Sequence, residues 1–245
     1  MLEENSMRVL AFGPHPDDIE ERISGTLFKL KQQGAEIFLC VATNGEIGSY
    51  RMTKEETARV RHGEAQAAAD RLGATLIWMG ERDEFIFDDE ATRLKFIDAV
   101  RQARPDVIFA PPCQDYNQDH DITGYMAFEA RVLATVKAIE TEHEIIDHIP
   151  PMFYYSPYGL ATSFKPQYFV DITDVMKDKL EMLSCHKSQM GDWCKDAFGV
   201  DYTAHVVNEG KYWASVCGTP NVEYVEPLML CERWPIIAGA HKFLP

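Results

Sequence analysis

The sequence lacks most of the short motifs that directly assign a chemistry to a chain. Its six cysteines include no C-x-x-C pair, so the spacing of zinc knuckles is missing. It contains neither the G-x-S-x-G turn of serine hydrolases nor a P-loop. No apolar run reaches the roughly 18 residues that a membrane span requires. The segment MLEENSMRVL is acidic and has no basic or long apolar region typical of a signal peptide. We therefore expect a cytoplasmic protein.

The sequence also has fewer basic than acidic residues. The 24 lysines and arginines stand against 39 aspartates and glutamates, which gives a formal net charge of −15. A chain with this charge repels phosphate backbones and anionic membrane surfaces. We therefore expect neither nucleic acid nor an anionic membrane surface as the main partner, although the charge leaves room for a local basic pocket.

The first half of the chain alternates apolar runs with segments of helical periodicity. Continuous apolar strands that alternate with amphipathic helices are typical of a parallel sheet covered on both faces. The sequence therefore predicts an α/β fold, with a Rossmann-like, mostly parallel sheet flanked by helices on both faces. The predicted strands are Met7–Phe12, Glu36–Thr43, Ala74–Met79 and Asp106–Ala110, and the predicted helices are Ile19–Gln33, Glu56–Leu72 and Asp89–Ala103.

The second half shows weaker patterns. We predict helices at about Ile122–Glu142 and Thr173–His186, and short strands at Met152–Tyr155 and Tyr168–Val170. The remainder is rich in glycine, aromatic residues and cysteine, and it shows little periodicity. No linker divides the chain. We therefore predict a single domain over 1–245, with 190–245 as a less regular C-terminal extension.

The stretch Gly13–Glu21, GPHPDDIEE, follows the first predicted strand and begins a helix. Catalytic zinc sites commonly take three imidazole or carboxylate ligands, and His15 and Asp18 are of these types. His120 lies just beyond the fourth predicted strand, and the carboxyl ends of parallel strands meet at one edge of the sheet. An alternative is that His15 and Asp18 form only a turn and a helix cap. A nucleotide-binding loop is disfavoured, because G-x-G-x-x-G is absent and Asp17 and Asp18 would repel phosphate.

Several segments together resemble the LmbE-like/PIG-L family, whose members use zinc to remove acetyl groups from N-acetylglucosaminyl conjugates. The resemblance implies that His15, Asp18 and His120 bind the metal and that Asp17 is the general base. It also implies a small amino-sugar conjugate as substrate, zinc as cofactor with another divalent metal left open, and a homo-oligomer. The segments are HPDD at His15–Asp18, TNGEIG at Thr43–Gly48, R-x-x-E…L-G at Arg61–Gly73, and D-H at Asp119-His120.

The tetrapeptide Asn117–His120 departs from the pattern H-P-D-H of many family members. An amide cannot carry a proton at neutral pH, although its NH₂ group can donate a hydrogen bond to an oxyanion. Asn117 is therefore a candidate for oxyanion binding, and Asp119 for orienting a ligand imidazole. Asp17, once protonated, could return its proton to the leaving amine.

Three further residues are candidates for the substrate site. The resemblance places Arg61 in contact with substrate, although a surface charge paired with a glutamate is an equal alternative. It places Asp83 where the family binds a hydroxyl group, and Glu46 in the site wall. The predicted function is zinc-dependent removal of an N-acetyl group. The alternatives are a metal- and sugar-binding protein with little or no catalysis, and an amidase that acts on a related thiol conjugate.

Overall fold

The computed structural model describes residues 6–158 and 163–245. The predicted domain range also includes 1–5 and 159–162, which lie outside the described residues. Seven described strands form one sheet in the order β3-β2-β1-β4-β5-β7-β6. The strands are β1 (Arg8–Gly13), β2 (Glu36–Thr43), β3 (Thr75–Glu81), β4 (Val107–Ala110), β5 (Met152–Tyr155), β6 (Tyr168–Asp171) and β7 (Val225–Leu230).

The sheet is mostly parallel, as predicted. The pairs between β1 and β2, β2 and β3, β1 and β4, and β4 and β5 are parallel, and β7 runs antiparallel to both β5 and β6. The helices are α1 (Asp18–Arg22), α2 (Ser24–Gln32), α3 (Lys54–Leu72), α4 (Glu90–Ala103), α5 (Gln118–Leu133), α6 (Met176–Leu183), α7 (Cys194–Phe198) and α8 (Tyr202–Cys217). None of these described helices is long and apolar enough to span a membrane.

Alternate residues of β1 face two separate cores. Val9 and Ala11 belong to a buried cluster that takes in apolar residues of α1, α2, α3 and α6. Leu10 and Phe12 belong to a second cluster with residues of α4, α5 and α8. Because successive side chains of a strand point to opposite faces, one apolar strand serves both cores. The prediction of helices on both faces is therefore confirmed.

The observed bounds differ from the predicted ones by up to three residues in most helices, and by more in two of them. The helix expected at Ile19–Gln33 is divided into α1 and α2 at Ile23, whose φ of −139° is not helical. The helix expected at Ile122–Glu142 begins earlier and ends at Leu133, and its start is capped by the Asn117 side chain. Beyond its end, the buried Arg101 guanidinium donates to the carbonyls of three residues, Ala134, Val136 and Ile139. These bonds satisfy backbone groups that a longer helix would have paired internally.

The expectation of a less regular segment over 190–245 was wrong. It contains the 16-residue α8, and β7 lies between β5 and β6 in the sheet. Helix α8 buries Tyr202, Val206, Gly210 and Trp213 at spacings of three or four residues. Polar residues and residues of low helix propensity between these positions obscured the pattern.

Candidate active site

The site lies at the carboxyl end of β1, beside the point where the sheet order reverses. The chain passes from β1 outward to β2 and β3 and then returns to β4 on the other side of β1. Open α/β sheets bind ligands in the crevice at such a point. Gly13 ends β1 without a side chain, because a Cβ there would lie 2.7 Å from Ile19 Cγ1. The glycine therefore lets α1 begin close against the strand and brings His15 and Asp18 to the crevice.

His15, Asp18 and His120 converge on one point. Nδ1 of His15 lies 3.3 Å from Oδ2 of Asp18 and 3.3 Å from Nε2 of His120, and this last atom lies 3.6 Å from Asp18 Oδ2. Tetrahedral zinc with bonds of about 2.0–2.1 Å would separate its ligand atoms by about 3.3–3.4 Å. The three atoms therefore fit a zinc ion. Among the described residues, they form one of the groups of histidine and carboxylate side chains that lie close enough together to hold a metal ion.

A helix cap alone does not account for these residues. Asp17 occupies the N-cap position of α1 and makes no side-chain capping bond. Asp18 Oδ2 accepts a hydrogen bond from the backbone N–H of His15, 2.7 Å away, so it closes the turn and does not cap the helix. The pKa of Asp18 is lowered overall, because His120 and His15 outweigh the effect of burial, which acts in the opposite direction.

In both His15 and His120, the outer ring nitrogen, which is the one that does not belong to the triangle of candidate ligand atoms, faces carboxylates. His15 Nε2 lies 3.2 Å from Asp83 Oδ1 and 3.4 Å from Asp119 Oδ2, and His120 Nδ1 lies 3.2 Å from Asp115 Oδ2. Such contacts fix the tautomer and orientation of metal-binding histidines. Burial lowers the pKa of His15, but the surrounding carboxylates outweigh it and raise that pKa well above its usual value. Asp83 and Asp119 therefore lie against His15 Nε2, on the side from which a carboxylate orients a metal-binding imidazole.

Asp17 adopts a backbone conformation that residues other than glycine rarely take, with φ of 128°. Strain of this kind costs on the order of 1–3 kcal/mol and clusters at functional sites. Its carboxylate accepts hydrogen bonds from Arg61 Nη2 at 3.0 Å and from the Tyr202 hydroxyl at 3.1 Å. Burial raises the pKa of Asp17 to about 7, although the Arg61 charge acts in the opposite direction. This carboxyl group is therefore suited to exchange a proton near neutral pH.

Arg61 is buried, so the alternative of a surface charge is wrong. Besides Asp17, its guanidinium donates to the carbonyls of Pro16 at 2.6 Å and Gly45 at 3.3 Å. A Cβ at Gly45 or Gly48 would come within 3 Å of the guanidinium, so both glycines make room for it. Arg61 lines the cavity, but these bonds tie it to the loop that carries Asp17.

Two predicted site residues point elsewhere. Glu46 lies outside the described cavity lining, and its carboxylate accepts from Asn44 at 3.4 Å and faces Arg82 at 3.5 Å. Asn117 is also outside that lining; its Oδ1 accepts from the N–H of Asp119, and its Nδ2 donates to Glu84. We therefore correct both assignments: Glu46 is not a wall residue, and Asn117 is the N-cap of α5.

The cavity-lining residues that the sequence analysis missed include Glu21, Tyr158, Tyr202 and His205. The carboxylate of Glu21 accepts from the hydroxyls of Tyr158 and Tyr202, and Tyr158 also contacts Asp18 Oδ1 at 3.2 Å. Glu21 could have been found, since it belongs to the GPHPDDIEE stretch. Tyr202 and His205 lie on α8, where no motif marks them.

The known proteins that are similar to this chain include deacetylases and hydratases. The family model described as PIG-L: GlcNAc-PI de-N-acetylase matches residues 10–131. Diacetylchitobiose deacetylase of Thermococcus kodakarensis is 29% identical over 188 residues, which are 74% of this chain and 70% of that protein. The 4-oxalmesaconate hydratase of Pseudomonas putida is 26% identical over 193 residues, 75% of this chain and 74% of that protein. The crystal structure of a 4-carboxy-2-hydroxymuconate hydratase from Pseudomonas putida aligns with a TM-score of 0.77 at 25% identity, covering 94% of this chain and 98% of the other.

Proposed function

Because the chain belongs to the PIG-L family of de-N-acetylases, we propose that it is a zinc-dependent hydrolase that removes an N-acetyl group from an N-acetylglucosaminyl conjugate or a related amino sugar. The observation that carries the proposal is the triangle of His15 Nδ1, Asp18 Oδ2 and His120 Nε2, with edges of 3.3, 3.3 and 3.6 Å. A deacetylase of an acetylated sugar among the relatives supports the choice of substrate class.

His15, Asp18 and His120 would hold the ion, since two imidazoles and one carboxylate are a known ligand set of catalytic zinc. When bound, zinc acts as a Lewis acid that lowers the pKa of water and polarises an amide carbonyl. Another divalent cation would fit the same donors. Asp83 and Asp115, which face the outer imidazole nitrogens, hold the two histidine rings in place.

Asp17 is the general base in this proposal. Its carboxylate lines the cavity beside the ligand triangle, where it accepts a proton from the attacking water. Arg61 and Tyr202 hold the carboxylate from two sides, so it needs no reorientation during the reaction. The same carboxyl group then returns the proton to the leaving amine. Asn117 takes no part in this step, because its amide caps α5 and contacts Glu84.

Hydration of a carbon–carbon double bond is a second candidate. It is favoured by the alignment with a hydratase over nearly the full length of both chains. The names of the two hydratase substrates denote polycarboxylates, which proteins commonly bind through arginine or lysine. In the described cavity lining, Arg61 already faces Asp17, while Asp83, Glu21 and Glu84 add negative charge. We therefore rank hydration second.

The test combines metal analysis with acetate release from N-acetylglucosamine and its small glycosides. We expect about one zinc per chain, as for a three-ligand catalytic site, together with release of acetate. Asp17→Asn should retain zinc and lose at least about a hundredfold in kcat, the scale of general-base catalysis. Asp88→Asn, which alters an exposed carboxylate paired with Arg93, is the matched control and should keep full activity.

Each other outcome has a distinct meaning. Zinc without acetate release, together with hydration of an unsaturated polycarboxylate, would favour the second candidate. Zinc and sugar binding without turnover would indicate a binding protein. A purified chain that takes up no divalent metal would refute the proposal.

A further inference from the structure

The cavity above the ligand triangle has two chemically different sides. It encloses about 370 Å³, and its lining includes the carboxylates of Asp17, Asp18 and Glu21, which we call the carboxylate floor. Apolar side chains form another part of the lining, which we call the apolar wall: Ile47, Trp193, Phe198 and Val200. A substrate whose acetamide group reaches Asp17 therefore extends from a charged floor past an uncharged wall.

The apolar wall continues as a row of aromatic rings. The rings of Trp193 and Phe198 meet edge to face with centroids 6.3 Å apart, and Tyr50 lies 4.7 Å from Trp193. Phe198 is 62% exposed and Tyr50 is 71% exposed. Exposed apolar groups that adjoin one another often mark a binding site. Trp193 and Phe198 line the same cavity as the candidate catalytic residues. A ligand that reacts in this cavity therefore contacts these rings.

The charge of the cavity restricts what can bind along this wall. The described lining contains Glu84 and Asp83 in addition to the carboxylates of the floor. The lining also contains the buried guanidinium of Arg61, which already donates hydrogen bonds to Asp17 and to two backbone carbonyls. A negatively charged group beside the wall would face Glu21 and Glu84, which bind no metal in the proposed function, and the described lining offers it no lysine or arginine besides Arg61. An uncharged ring would cover exposed aromatic surface at no such cost.

We propose that the apolar wall binds the aglycone of the substrate and selects an uncharged aromatic group. This inference rests on the proposed function, since it assigns the part of the substrate that lies beyond the acetylated sugar. Offset or edge-to-face contact with Phe198 and Trp193 provides the recognition, and the carboxylates of Glu21 and Glu84 disfavour anionic aglycones.

The experiment compares kcat/KM for the methyl, phenyl and 4-carboxyphenyl glycosides of N-acetylglucosamine. We expect the phenyl glycoside to exceed the methyl glycoside by about threefold to tenfold, the scale of one aromatic contact. The 4-carboxyphenyl glycoside should lose that advantage. Phe198→Ala should abolish the preference by lowering kcat/KM for the phenyl glycoside more than for the methyl glycoside, and Phe198→Tyr should keep it. Phe87→Ala, which alters another exposed aromatic residue outside the described cavity lining, should change nothing.

Calorimetric binding of the same three glycosides distinguishes failure of this inference from failure of the proposed function. Acetate release without a phenyl preference would overturn the inference and leave the function intact. If no acetate is released, a binding preference for the phenyl glycoside that Phe198→Ala removes would still support the aromatic subsite. Equal loss of methyl and phenyl glycosides in Phe198→Ala would show that the wall binds the sugar ring, and the inference would then be wrong. The absence of any discrimination in both assays would also overturn it.

Discussion

Replacement of Lys179 by methionine should strongly destabilise the protein. Lys179 and Glu226 are both buried, and Lys179 Nζ lies 2.6 Å from Glu226 Oε1. The same carboxylate accepts from the backbone N–H groups of Gly25 at 2.9 Å and Thr26 at 2.6 Å, so it joins β7 to α2 and α6. Removing one partner of a buried ion pair costs about 3–5 kcal/mol, because the other charge stays buried and unpaired. The remaining donors to Glu226 place the expected loss near the lower end, at about 3 kcal/mol.

Urea unfolding followed by tryptophan fluorescence measures this loss from the transition midpoint. Lys29→Met is the matched control, because its pair with Asp174 is partly exposed, and it should cost less than about 1 kcal/mol. A second variant, Lys179→Met with Glu226→Gln, removes the unpaired charge and should be more stable than Lys179→Met alone. Glu226→Gln alone supplies the second single loss of the cycle. Equal losses in Lys179→Met and Lys29→Met, or a double variant that loses the sum of the losses in Lys179→Met and Glu226→Gln, would contradict this account of the buried pair.

Three further predictions concern the metal, a close contact and a buried histidine. Saturating zinc at a hundred times its dissociation constant should raise the free energy of unfolding by about 2.7 kcal/mol; His120→Ala should show no such rise, and an equal rise in both would contradict the ligand assignment. Gly124→Ala should destabilise the protein by about 1–3 kcal/mol in urea, because its Cβ would lie 2.3 Å from a backbone carbonyl oxygen. Gly63→Ala, whose Cβ meets nothing within 4 Å, should instead stabilise α3 slightly, and similar losses in the two variants would count against the contact. Burial lowers the pKa of His186, but the facing carboxylate of Glu20 outweighs it and raises that pKa overall, so the pair stabilises the fold below pH about 6.5 and loses this effect as the pH rises through the raised pKa. The loss of stability in His186→Gln should therefore be larger at pH 6 than at pH 9, and equal losses at both would contradict this.

The sequence alone determined the α/β class, because the strands that are buried on both faces must be continuously apolar, and the helices between them must carry one apolar face. It also indicated the ligand triangle. His15 and Asp18 lie three residues apart on one turn, and His120 follows a strand whose end had to lie at the same edge of the sheet. These conclusions depend on local patterns and on the geometry of parallel strands, which a single sequence displays.

The tertiary structure decided which side chains face one another across the site. Tyr202 contacts Asp17 although 185 positions separate them, and no local pattern records such a contact. The contacts of the polar residues in the motifs likewise determined what those residues do. Asn117 caps a helix, and Arg61 holds the turn that carries Asp17. Periodicity reports which face of an element is buried, whereas the partner of a buried polar group depends on how distant elements pack. For this reason the sequence could bring the three candidate ligands and Asp119 together, whereas Asp115, which faces His120, and most residues that shape the cavity could not be predicted from it.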